Sequence, residues 1–256
     1  MKRGLFLAPF DELVDPRLMA DLGARAEAAG WDGLFVWDHV AYRPPVRAIS
    51  DPWVVLSAIA CATSRLRLGT MVTPLSRRRV QKLARETVTL DRLSDGRLTL
   101  GVGLGSDTTG ELGPFGEVTG PRERAKLLDH GLTRLGELWD GEFEPRPVQQ
   151  PRIPIWVASR WPSRRPLRRA ARFDGLFPIE LPGPDELRVL GQEVRDLRRA
   201  AGAATGDGAF DLVVEISAGE DPQPWARAGA TWVLTAFGKQ PRLDEVRAAI
   251  EAGAHA

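Results

Sequence analysis

Short runs of consecutive apolar residues alternate with longer segments in which apolar positions recur every three or four residues, and the alternation persists along the whole chain. The first pattern suits a strand buried on both faces, and the second is the period of an amphipathic helix. Strands are predicted at residues 4–10, 33–38, 66–72, 97–103, 153–158, 175–179, 210–216 and 231–236. Helices are predicted at 16–29, 52–63, 79–93, 122–139, 166–172, 184–201 and 243–252, while 219–230 offers only a turn or two. Asp15-Pro16 and Asp51-Pro52 read as N-caps followed by proline at the first helical position, and Gly30 as a helix stop.

Strands alternating with helices imply parallel βαβ units. Eight strands fit a closed ring better than an open doubly wound sheet, which would also need a glycine-rich phosphate turn after its first strand. The stretch "FLAPFDE" has none. The expected fold is therefore α/β, a single (β/α)8 TIM-type barrel domain over residues 1–256, with its site at the C-terminal ends of the strands. The longest non-helical connection is 105–120, after the fourth strand, and loops of that length are commonly functional.

Composition narrows the classes. The 256 residues are 43% hydrophobic and 27% charged with net charge +1, so the molecule as a whole has no strong pull toward nucleic acid or an anionic membrane. The apolar run around "WVVLSAIACA" is too short to span a bilayer, and the basic start "MKRGLFLAPFDEL" is too short for a secretory signal. A cytoplasmic location is expected. Cys61, the single cysteine, is expected to be a small buried residue, with no disulfide and no thiolate metal site.

Chemistry gathers at the predicted strand ends. The run "GLFVWDHV" breaks from apolar core into Asp38 and His39 at the end of the second strand, where an imidazole can act as acid or base with Asp38 orienting it. The third strand ends in "LGTMVTP", whose Gly69, Thr70 and Thr73 suit a bulge approached by a flat ligand. The fourth ends in "LGVGLGSD", with Gly101, Gly103 and Gly105 allowing close approach. Arg160, Arg164, Arg165, Arg168 and Arg169 follow the fifth strand, and "SRRRVQK" at 76–82 follows the third; each is either an anion site or a solvated basic face. Phe10, Trp37, Trp53 and Trp161 are the aromatic candidates for lining an apolar pocket. His130, within a helix, and His255, in the tail, are assigned no functional role.

Three segments, "AEAAGWDGLFVWDH", "ATSRLRLGTMVTPLSRRRVQKLARETVTLDRLSDGRLTLGVGLG" and "IPIWVAS", carry a resemblance to the luciferase-like family of flavin-dependent oxidoreductases. The resemblance implies a barrel that holds reduced FMN or the deazaflavin coenzyme F420, without metal, over the strand C-termini. It implies that Asp38 and His39 are catalytic, with His39 as base or stabiliser of an anionic intermediate. Thr70, Met71, Val72 and Thr73 would form the bulge behind the ring system. Gly103, Gly105 and Ser106 would lie near the cofactor, and Ala158, Ser159 and Arg160 near its phosphate. Deazaflavin sugar-phosphate dehydrogenases of the family carry a glutamate right after the strand-four glycines, and Ser106 stands there instead. The leading expectation is thus a monooxygenase acting on a small organic substrate with reduced FMN and oxygen, served by a separate flavin reductase. The alternatives are an F420-dependent reductase or dehydrogenase of the same fold and a non-catalytic flavin-binding barrel. A homodimer is expected because the family often dimerises.

Overall fold

The computed structural model describes residues 1–202 and 210–254; His255 lies outside them. Eight parallel strands close into a barrel in chain order. They are β1 (Lys2–Leu7), β2 (Gly33–Val36), β3 (Arg67–Pro74), β4 (Leu98–Gly103), β5 (Ile155–Arg160), β6 (Gly175–Ile179), β7 (Asp211–Ser217) and β8 (Trp232–Ala236). Each is followed by a helix: α1 (Pro16–Ala28), α2 (Pro52–Ala62), α3 (Val80–Leu93), α4 (Pro121–Glu137), α5 (Arg165–Ala170), α6 (Pro184–Ala200), α7 (Gln223–Arg227) and α8 (Leu243–Ala252). The eight-unit barrel expected from the alternation is the fold observed.

Proline accounts for two shifted boundaries. The first strand stops at Leu7 rather than at residue 10, because Pro9 has no N–H for a ladder. Phe10 instead turns back, its N–H donating to Ala8 O at 2.8 Å, and makes an isolated bridge to Ile49. The fifth strand starts at Ile155, just past Pro154, and runs on to Arg160. The second strand ends at Val36, so Asp38 and His39 sit in the loop just beyond its ladder. Cys61 is exposed on α2 rather than buried, because the core-facing stripe of that helix is Trp53, Leu56, Ile59 and Ala60.

Two apolar layers hold the barrel. Leu5, Leu34, Leu68, Leu100 and Val214 point outward under the helices, while Phe6, Phe35, Met71, Trp156, Phe177, Val213, Trp232 and Leu234 fill the interior. The interior is solid at this level, as small eight-stranded barrels require. β3 carries a register shift between Thr70 and Thr73 against β4, and the Met71–Val72 peptide bond within it is cis. Gly101 on β4 makes room for this bulge: a Cβ there would lie 2.3 Å from Thr70 O and 2.4 Å from Met71 Sδ.

The N-terminal end of the barrel is tied by charged side chains bonded to backbone. Arg97 donates to Ser94 O, Ala60 O, Thr63 O and Leu66 O at 2.6–2.9 Å. Glu27, near the end of α1, accepts from the N–H groups of Ser64, Arg65 and Leu66. Partial burial pushes its carboxyl upward, but the backbone donors of Arg65, Leu66 and Ser64 outweigh this and hold it at about 2, below the ordinary 4.5. A depressed folded-state value contributes stability that is present above the unfolded value and lost as pH falls. Glu27→Gln is expected to cost about 1 kcal/mol near neutrality. In urea unfolding curves the gap from wild type should close as pH drops from 4.5 toward 2.

Candidate active site

A cavity of about 530 Å³ opens at the C-terminal ends of the strands. Its size is typical of a small-molecule site. The floor is apolar: Phe6 from β1, Met71 and Val72 from the β3 bulge, Ala158 from β5, and Phe177 and Ile179 from β6. Gly103 forms one wall, and a Cβ there would meet Val72 Cγ2 at 2.8 Å. Gly105 turns the chain away at φ +69°, a conformation glycine adopts without penalty.

Polar groups converge on the β2–β3 side. Asp38 is buried, and its carboxylate is surrounded by donors: Arg77 Nη2 at 2.9 Å, Arg78 Nη2 at 2.5 Å and Thr73 Oγ1 at 2.8 Å. Thr70 Oγ1 in turn lies 2.8 Å from Thr73 Oγ1. His39 lines the cavity, but its ring is not oriented by Asp38. Its Nδ1 meets a carboxylate oxygen of Glu111 in a short contact. The other Glu111 oxygen accepts from Arg77 Nε at 3.0 Å, and Thr109 Oγ1 donates to the first at 3.2 Å. Arg77 thus bridges both carboxylates, and its Nη2 also donates to Asp38 O at 2.6 Å. Planar guanidinium geometry suits this double engagement.

Glu111 comes from the long connection after β4. Asp107 folds that loop by accepting from the N–H groups of Leu112 and Gly113 at 2.8 and 3.0 Å. Leu112 is fully buried, which fixes its neighbour Glu111 inward at 2% exposure. Arg124 of α4 pins the start of the loop by donating to Leu104 O and Gly105 O at 3.2 and 2.6 Å. Loop 105–120 is therefore folded over the rim, with Glu111 against His39.

The structure brings together many of the residues singled out from the sequence. Trp37, Asp38, His39, Met71, Val72, Gly103, Gly105, Ser106, Ala158 and Arg160 all line the cavity. Thr70 and Thr73 stand behind it, linked to Asp38. Ser159 is buried and donates to Ser163 O at 3.1 Å. Phe10 is not in the wall; it braces Trp37, His39 and Tyr42 from behind, with ring centroids 6.0, 5.8 and 5.5 Å away. Trp53 lies in the core under α2, and Trp161 lies outside the wall with Arg164 4.5 Å over its ring. The arginines after β5 mostly engage neighbouring acids: Arg160 pairs with Glu180, Arg164 with Glu193 and Arg169 with Asp129.

Sequence reasoning missed Glu111, Tyr42 and Glu215, and it read Arg77 and Arg78 only as part of a basic run. Glu215 did leave a signal, as the acid that interrupts the apolar run of "DLVVEIS". Glu111 left none beyond its place in the long loop, because its partner is 72 residues away.

The cavity fits a flavin-type ring. Its floor is apolar, and Trp37 carries a buried indole N–H with no acceptor, a donor that a ring oxygen can take. A closed parallel barrel with an imidazole–carboxylate pair at its C-terminal rim has the architecture of a barrel enzyme. Residues 3–255 match the luciferase-like monooxygenase family, and the chain belongs to that family of oxidoreductases. An uncharacterised protein of Mycobacterium tuberculosis is 31% identical over 98% of this chain and 96% of its own length. A phthiodiolone/phenolphthiodiolone dimycocerosates ketoreductase of Mycobacterium tuberculosis is 30% identical over 78% of this chain, which spans 62% of that protein. Among solved structures, an F420-dependent secondary alcohol dehydrogenase in complex with an F420-acetone adduct superposes with a TM-score of 0.79 at 17% identity, covering 98% of this chain and 97% of that one. The long-chain alkane monooxygenase LadA gives 0.69 at 19% identity, covering 85% and 64%.

Asp38 is the carboxylate that meets two guanidiniums at once. Asp38→Asn is expected to destabilise the fold by about 3–5 kcal/mol, the cost of leaving buried charge uncompensated. Urea unfolding at neutral pH measures it.

Proposed function

We propose that the chain is a hydride-transfer oxidoreductase that interconverts a secondary alcohol and a ketone with a deazaflavin, coenzyme F420, as redox partner. The observation that carries this reading is the His39–Glu111–Arg77 relay. Ser106 stands where an acid is expected after the strand-four glycines, and Glu111 supplies a carboxylate to the site from five residues further on. A carboxylate at Nδ1 favours the tautomer protonated there, which leaves the Nε2 lone pair for the cavity. Arg77 Nε fixes Glu111 beside the ring from 3.0 Å, so the imidazolium formed when Nε2 takes the alcohol proton has a carboxylate at its other nitrogen. In the reverse direction the same nitrogen returns the proton to the ketone oxygen. The cofactor, when bound, accepts or supplies the hydride.

In this reading the Thr70–Val72 segment would hold the ring, the unpartnered N–H of Trp37 would meet a polar edge, and the β5 end at Ser159 would lie nearest the phosphate. The names of the ketoreductase and of the secondary alcohol dehydrogenase point the same way. A second reading, a monooxygenase using reduced FMN and oxygen, is supported by the folded loop 105–120, because a lid that excludes water protects a reactive adduct.

Titration of the purified chain with FMN and F420, followed by tryptophan fluorescence, tests the cofactor. F420 is expected to bind and to be bleached when propan-2-ol is added. Oxygen uptake with reduced FMN, and no bleaching of F420, would move the assignment to the second reading. His39→Ala should keep cofactor affinity within about threefold and lower kcat by about 10²–10⁴. Unaltered kcat in that variant removes His39 from the chemistry.

A further inference from the structure

Across the cavity from His39 lies a second carboxyl that the relay does not use. Glu215 sits on β7 opposite Leu234 of β8, two residues after Val213, and shares the inward parity of both. It therefore rises from the filled interior into the cavity, where it is one of the lining residues. Its surroundings on β8 and β1 are apolar: Leu234, Ala236 and Phe6. The charged groups that face it are Glu180, at the end of β6, and Arg160, on β5. Arg160 is already paired with Glu180. Among the described residues, no hydrogen bond reaches the Glu215 carboxyl.

A carboxyl placed in an apolar pocket without a partner is costly unless a ligand completes it. Arg160 is taken up by Glu180, so among the described residues the wall beside Glu215 offers an anion no free cation. We propose that Glu215 is a specificity-determining residue, whose carboxyl group hydrogen-bonds the oxygen of an uncharged carbonyl or hydroxyl compound and turns carboxylate and phosphate substrates away. This rests on the reading of the cavity as the substrate site. Burial, and then repulsion from Glu180, raise the Glu215 carboxyl above its ordinary value, against the opposing pull of Arg160. The raised value favours the protonated, hydrogen-bond-donating form. A donor of that kind in an oily wall suits a ketone oxygen better than a cation, which would draw the group into its ionised form.

The test uses the full chain saturated with whichever of FMN or F420 it binds, or unloaded if it binds neither. Three probes of one shape are compared: cyclohexanone, cyclohexanecarboxylate and cyclohexylammonium. Infrared difference spectra should show a protonated-carboxyl band that is missing in Glu215→Gln and that shifts when cyclohexanone is added. Cyclohexanone should bind at least about tenfold tighter than cyclohexanecarboxylate, and Glu215→Leu should lose most of that affinity. Glu215→Gln, which keeps an N–H donor and the side-chain shape, should retain cyclohexanone binding within about threefold. The proposal is overturned by a band that ignores the ketone, by unchanged affinity in Glu215→Leu, or by cyclohexylammonium binding tighter than cyclohexanone. Failure to bind either cofactor would instead remove the redox assignment, while the carboxyl band still decides the role of Glu215.

Discussion

The site depends on one buried carboxylate meeting two guanidiniums. Asp38 stands just past the end of β2, and Arg77 and Arg78 just past the end of β3; all three charges would be costly to bury alone. With Glu111 as the second carboxylate the charges balance, and the group locks the rims of two adjacent strands. Arg77 then has a free edge, and that edge holds Glu111. The His39 imidazole is thus positioned through a chain of charge compensation that starts from Asp38, not through direct contact with it.

This arrangement couples the long loop to His39. Glu111 reaches His39 only because Asp107 folds residues 105–120, Leu112 is buried and Arg124 anchors the loop at Leu104 and Gly105. The fold of the loop and the His39–Glu111–Arg77 contacts therefore depend on each other. Any ligand that strengthens the His39–Glu111 contact also favours the folded loop, and the reverse holds by linkage.

The two sides of the cavity are electrostatically unlike. Near β2 and β3, the Asp38 and Glu111 carboxylates are matched by Arg77 and Arg78 in one network. Near β6 and β7, Glu215 faces apolar side chains and a second acid, with its one arginine neighbour engaged elsewhere. Pairs of titratable groups in contrasting environments are how one pocket separates proton handling from substrate recognition.

The local pattern was enough to place eight strands, their closure and the strand-end residues, because inward and outward burial on both faces of a parallel barrel leaves unbroken apolar runs. Asp38 and His39 were legible because polarity that begins where a buried run stops marks the rim, and the 70–73 bulge because small Gly69 and the hydroxyls of Thr70 and Thr73 interrupt an apolar strand. Proline shifted the ends of β1 and β5, and the exposed Cys61 shows that an apolar neighbourhood in sequence is not burial on a helix. What only the tertiary structure decided is which charges meet. Glu111 is 72 residues from His39, and Arg77 is 34 residues from Glu111, so no periodicity links them. Partner choice among buried charges is fixed by distance in space and by the need to leave none uncompensated, and neither is written in the order of the chain.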